Sequence, residues 1–191
     1  MYVRNVILTL LSVHILAGCA PAIVGGAATG VVIAHDTRTT GTVVEDEAIE
    51  LKVANKIFKD KELFNQTHIN VTSYNNNVLV TGETPTEEMR QRVITLTTKT
   101  PKVRHVYNEV SVEPPRPMLS RSNDAWITTK IKSNLLRIKD FDSTRVKVVT
   151  EKGVVYLMGF LNEQEGTAVA EHVRRISGVR KVVKLFEVPN Y

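Results

Sequence analysis

The 191-residue chain has one cysteine, Cys19, and one tryptophan, Trp126. A single thiol allows no internal disulfide and excludes a structural zinc site built from several cysteines. No uninterrupted apolar run reaches the 18 or so residues of a membrane-spanning helix. A Gly-rich phosphate loop, a nucleophile elbow and a Cys/His arrangement are all missing. The histidines, His14, His35, His68, His105 and His172, have no i, i+3 or i, i+4 pairing, so no metal centre is expected. Asp46, Glu47 and Glu50 read as helix N-terminal carboxylates favoured by the dipole, and not as a catalytic acid pair. These absences predict no enzyme and no cofactor. What is present, 42% hydrophobic and 24% charged residues, is a globular balance.

The N-terminus points to export. Arg4 precedes an apolar stretch from Val6 to Leu16, about 11 residues, which suits a signal h-region and is too short to span a bilayer. Leu16-Ala17-Gly18-Cys19 resembles the lipobox of bacterial lipoproteins. That resemblance implies cleavage after residue 18 and a Cys19 carrying diacylglyceryl and acyl (palmitate) chains. Several chains, at about 0.8 kcal/mol per buried methylene, make a lasting anchor. Ala20 is not the aspartate that commonly retains lipoproteins in the inner membrane. An exported protein meets little nucleic acid, so the excess of Lys+Arg 25 over Asp+Glu 20 points to anionic lipid or envelope polymers. Residues 19–46, rich in Gly, Ala and Thr and without period, read as a flexible tether reaching about 30 Å.

The remainder is a duplication. Ile49–Val53 matches Ile127–Ile131 at a shift of 78, Val78–Gly82 matches Val155–Gly159 at 77, and Val103–Val106 matches Val179–Val182 at 76. Pro114-Pro115-Arg116-Pro117 marks a break, giving units at 47–113 and 124–191 joined by a linker at 114–123. Each unit reads helix, strand, strand, helix, strand. Ile49, Val53 and Ile57, and likewise Ile127, Ile131, Leu135 and Ile138, fall at helical spacing. Asn75-Asn76-Asn77 and Glu151-Lys152-Gly153 suit hairpin turns. Thr84-Pro85-Thr86-Glu87 predicts a second helix with Pro85 at its first position and a capping-box pair; Asn162 to Glu165 predicts its counterpart. The stripes Met89, Val93, Leu96 and Val169, Val173, Ile176 complete these helices. The expected fold is α+β: two αββαβ units, each a three-stranded sheet with two helices on one face.

This duplication, with Gly82 and Gly159 closing the second strands as structural glycines, resembles tandem BON domains of outer-membrane lipoproteins. Asn70-Val71-Thr72, Val106-Tyr107-Asn108-Glu109, Ser122-Asn123-Asp124 and above all Trp126-Ile127-Thr128-Thr129-Lys130 carry the resemblance. It implies binding of anionic phospholipids such as phosphatidylglycerol and cardiolipin through the second domain. It also implies a periplasmic position for the domains, support of outer-membrane integrity and enrichment at cell-division sites.

The residues bear on that implication independently. Glu47–Glu113 holds nine basic and nine acidic residues, whereas Arg121–Val188 holds thirteen basic and eight acidic. At about 1 kcal/mol per basic residue near an anionic surface, this asymmetry favours the second copy. With Trp126 set at 0° on a helix, the stripe from Ile127 to Ile138 spans about 100–180°, while Lys130 falls near 40°, Arg137 near 20° and Leu136 near 280°. An aromatic, two cations and a leucine outside the core stripe suit a membrane interface. The first copy has Ala48, Lys52, Phe58 and Lys59 at the matching places. Two readings stay open here. Trp126, Lys130, Leu136 and Arg137 form a phospholipid site, or Trp126 packs on Met118 and Leu119 or the other copy as an interdomain staple. In the second case the chain is an envelope module for a protein partner, such as the outer-membrane assembly machinery, or for peptidoglycan.

Overall fold

The computed structural model describes residues 38–188. Cys19, the export segment and most of the expected tether lie outside the described residues.

The first half opens with α1, Thr40–Lys59, so the helix begins inside the segment read as tether to residue 46. The Thr39 hydroxyl caps it by accepting the Thr42 N–H, a start that a Gly- and Thr-rich composition conceals. A short helix absent from the expected pattern follows: α2, Lys61–Gln66, capped by Asp60 and anchored by buried Leu63. Then come β1 (His68–Tyr74), β2 (Asn77–Thr84), α3 (Glu87–Thr98) and β3 (His105–Val112). The N-cap of α3 is Thr86, whose hydroxyl accepts the Met89 N–H. Pro85 therefore precedes the cap and is not the first helical residue as expected.

The second half repeats this order with α4 (Met118–Leu135), β4 (Val146–Glu151), β5 (Val154–Phe160), α5 (Glu163–Arg174) and β6 (Lys181–Glu187). α4 starts within the stretch read as a linker to residue 123, leaving Pro114–Pro117 as the break, because Pro117 itself serves as the N-cap. The Asn162–Glu165 capping box at α5 is complete.

In each sheet the middle strand pairs antiparallel with its hairpin partner and parallel with the strand after the second helix, in the orders β1-β2-β3 and β4-β5-β6. The hairpin turns are two-residue, with positive φ at Asn75 (50°) and Asn76 (64°), and at Lys152 (54°) and Gly153 (70°). One aspartate pins each turn. Asp46 on α1 accepts the N–H groups of Asn75 and Asn76, and Asp124 on α4 accepts those of Lys152 and Gly153. Asp46 is buried in the second turn of α1, not at the helix start as expected. Gly82 (φ +119°) and Gly159 are required by close approach. A Cβ on Gly82 would stand 1.9 Å from the His68 carbonyl oxygen, and one on Gly159 2.3 Å from that of Arg145.

Alternation along the strands builds two kinds of core. Val78 and Val80 face α1 and α3, and Val155 and Leu157 face α4 and α5. The intervening Tyr74, Leu79, Tyr156 and Met158 form a third cluster shared by both sheets, flanked by Tyr107, Val149, Phe160, Val183 and Leu185. The helix-free faces thus pack on each other, and the layer order is helices, sheet, sheet, helices. Tyr74 meets Phe160 edge-on at 5.8 Å. Tyr156 Oη donates to Glu109 across the seam at 3.1 Å. Burial and that neighbouring carboxylate push the Tyr156 phenol well above its ordinary pKa.

Candidate functional site

The outward face of α4 is positioned by what its inward face buries. Ile127, Ile131 and Leu135 plug into the core of the second domain, and the apolar seam between the domains is made by residues of the sheets. Trp126 and Leu136 are therefore left 61% and 72% exposed. The indole is not a staple between the domains; the side chains of Met118 and Leu119 lie outside the described ones. Arg137 is also exposed, one residue past the C-cap Leu136.

Lys130 differs from the expected picture. It is half-buried, and its Nζ donates to the Ser177 carbonyl at 2.5 Å, reaching across to the turn after α5. Two of its three N–H donors remain for another acceptor. Lys132 and Lys139 are exposed, one on the last turn of α4 beside Leu136 and one just beyond it. The helical angles measured from Trp126 do not single out Lys132, yet the same spacing puts it about 40° from Leu136. Arg175 is exposed two residues before Ser177, and adds a cation near the turn that Lys130 holds. The resulting arrangement is a ridge with an indole and an isobutyl group outermost and cations along its flank. It can insert apolar groups between lipid chains and hold phosphates beside them.

A second polar cluster lies at the domain junction. Arg116 of the linker donates to Glu83 of β2 at 2.5 Å, to Asp124 of α4 at 3.2 Å, and to Glu151 of β4. Lys152 pairs with Glu83 and Glu113. Burial holds the Glu151 carboxyl above its ordinary range against the pull of Arg116. For Arg116, burial is outweighed by Glu83 and Glu151, which raise its pKa and keep it charged. This arrangement is a structural clamp: each acid on it faces a cation. Elsewhere on the seam, Lys147 of β4 reaches Glu50 of α1 at 2.9 Å.

Comparison with known proteins accords with this architecture. The BON domain model matches residues 45–114 and 123–190. The chain is a tandem BON-domain protein. It is 37% identical over 172 residues to the outer membrane lipoprotein DolP of Haemophilus influenzae, covering 90% of this chain and 89% of that one. To the 21 kDa hemolysin of Actinobacillus pleuropneumoniae it is 39% identical over 150 residues, 78% of this chain and 77% of that one. Among solved structures, the C-terminal domain of CdsD from the type III secretion system of Chlamydia trachomatis aligns at 17% identity with a TM-score of 0.31, over 76% of this chain and 67% of that one. The chain is thus a BON-domain homologue of an outer-membrane lipoprotein, and neither named relative is described as an enzyme. Among the described residues, no helix is long and apolar enough to cross a membrane.

Proposed function

We propose that the protein is an outer-membrane lipoprotein, acylated at Cys19, whose periplasmic second BON domain lays α4 on anionic phospholipid. The observation that carries the reading is the joint exposure of Trp126 and Leu136 on a helix whose opposite face is buried. Leu136 stands beside Arg137 and one turn from Lys132, and Trp126 one turn from Lys130, in the domain that holds the chain's basic excess. Exposing an indole and a leucine at the two ends of the outer face of one helix, with cations between and after them, is what an interfacial helix requires. Arg137, Lys132 and the spare donors of Lys130 meet phosphates, while Trp126 and Leu136 enter the acyl boundary. Phosphatidylglycerol and cardiolipin are the headgroups that fit this charge. No bond is made or broken in the process. The contribution to the cell is outer-membrane integrity, with concentration at division sites, a reading that the family resemblance supports.

The test is co-sedimentation of the mature chain, with Cys19 replaced by Ser, on vesicles of phosphatidylglycerol or cardiolipin and on vesicles of phosphatidylcholine. Binding to the anionic vesicles alone, falling as salt rises, is expected. The emission of Trp126 shifts to the blue on binding. Equal binding to both compositions, or binding indifferent to salt, overturns the reading.

A further inference from the structure

The first domain carries a concavity of about 680 Å³, roughly three times the 230 Å³ of its counterpart on the second. Its walls are Leu51, Ala54 and Phe58 of α1, Phe64 of α2, and Ile69 and Val71 of β1. Leu51, Phe58 and Phe64 are all exposed, and the two phenyl rings brace each other edge-to-face at 4.9 Å. The helix α2, whose place before the first strand is taken in the second half by a three-residue 3-10 turn at Ser143–Arg145, supplies one wall. In the second domain Lys132 and Leu136 occupy the places of Ala54 and Phe58. The size and the phenyl walls of the groove are therefore features of this domain, and the second domain has only a smaller version of it.

One side of the groove is a sheet edge. β1 is an outer strand of its sheet. The Ser73 N–H donates to Glu50 at 2.8 Å, and the Ser73 carbonyl accepts from Lys147 at 3.2 Å, both away from β2. In an antiparallel pair, every second residue turns its N–H and C=O to the same side. Ile69 and Val71 thus present theirs outward along the rim of the groove, while Glu50 and Lys147 close the last rung. An edge with open rungs, an apolar trough beside it and a helix beyond is the geometry that takes an extended peptide as an added strand.

Charge narrows the occupant. The lining includes Glu47 and Glu50 and no Lys or Arg, which disfavours an anionic lipid headgroup and favours a cationic side chain. We propose that this groove receives an extended segment of a partner protein. Its main chain pairs with Ile69 and Val71, its apolar side chains enter between Leu51, Phe58 and Phe64, and a Lys or Arg meets Glu47. α1 and α4 lie in opposite outer layers of the molecule, so a membrane under α4 leaves the groove uncovered. That last compatibility rests on the proposed lipid reading, whereas the groove does not.

The test is selection of random dodecapeptides displayed on phage against the mature chain with Cys19 replaced by Ser, followed by synthesis of the enriched sequences. Enriched peptides alternate apolar residues and carry Lys or Arg, and saturation with them slows hydrogen exchange at the Ile69 and Val71 amides. Val71→Pro deletes one outward donor without removing a ladder bond to β2 and weakens the peptides about tenfold, as one lost main-chain hydrogen bond does. Glu47→Lys, at an exposed helical position, weakens them severalfold and keeps the native melting temperature. It also leaves anionic-vesicle binding unchanged, so failure here is separable from failure of the lipid reading. Three results overturn the proposal. The first is that no peptide is enriched. The second is that enriched peptides bind both variants as tightly as the native chain. The third is that the two amides are already protected in the free chain, with or without dimer formation, because the groove is then filled by the chain itself or by a second copy.

Discussion

Asp46 and Asp124, 78 positions apart, hold the same place in their domains: each carboxylate accepts two backbone N–H groups from the tip of a hairpin. Each ties the first helix to the first strand pair, so the packing of the helix and the shape of the turn are fixed together. Replacing Asp124 by Ala leaves the Lys152 and Gly153 donors unpaired where little water reaches. The expected cost is about 2–6 kcal/mol, from roughly 1–3 for each orphaned group. Urea denaturation measures it, and Asp46→Ala should cost a similar amount.

Arg116 is the only cation of the proline-rich break at 114–117, and it touches carboxylates of both domains. Glu83 is fully buried and depends on it. Arg116→Ala is expected to destabilise by about 3 kcal/mol, because Glu151 loses its ion pair and buried Glu83 keeps only the longer contact with Lys152 at 3.7 Å. Arg116→Lys keeps the charge but loses the planar fork, and falls between the two. Denaturation midpoints rank the three proteins.

Trp126→Ala is expected to change folding stability by no more than about 0.5 kcal/mol, since the indole is exposed. Its affinity for anionic vesicles falls about 10–100-fold, the equivalent of withholding about 1.5–3 kcal/mol of apolar burial. Arg137→Glu lowers the same affinity and flattens its salt dependence. Paired melting curves and vesicle titrations separate these effects.

Gly82→Ala and Gly159→Ala drive a methyl group into a backbone carbonyl of the neighbouring segment. Each is expected to cost about 2–3 kcal/mol or more, with Gly82 the worse because its positive φ adds strain. Thermal melts of the two variants test that order.

His68, at the start of β1, titrates below its ordinary value. Burial is the main cause; Arg121 and Arg116 add to it and Glu83 opposes them. The unfolded chain then takes up the proton at a higher pH than the folded one. The stability His68 contributes is present above about pH 6.5 and is lost as pH falls through its lower folded value. Glu151 acts in the opposite sense, since burial raises its pKa and its ionisation costs stability as pH rises. The difference between native and His68→Gln melting temperatures isolates the histidine. That gap should narrow as pH falls below about 6.5 and the native protein loses its advantage.

The cores of both domains were legible because they obey local periods. Ile49, Val53 and Ile57 recur at helical spacing, and Asn75-Asn76 and Lys152-Gly153 carry the residues a tight hairpin needs. Helix starts were less legible. Thr39 and Pro117 cap α1 and α4 within stretches whose composition reads as loop, since a cap is one residue and not a pattern. The role of Asp46 was within reach: its repeat at Asp124 was visible in the duplication, but the hydrogen bonds that explain it cross to a hairpin about 29 residues away. Lys130 was placed correctly on the helix and incompletely in space, because its acceptor, Ser177, is 47 residues downstream.

Sequence alone determined the duplicated αββαβ order, the helix stripes that face each core and the two glycines, because each follows from the period or the backbone freedom of a few consecutive residues. Only the tertiary structure decided that Tyr74, Leu79, Tyr156 and Met158 would bury against one another and join the sheets face to face. That one choice consumed the apolar faces of the strands and left the outer face of α4, with Trp126 and Leu136, to the solvent. A side chain's exposure depends on which surface comes to cover it, and here that surface belongs to the other half of the chain.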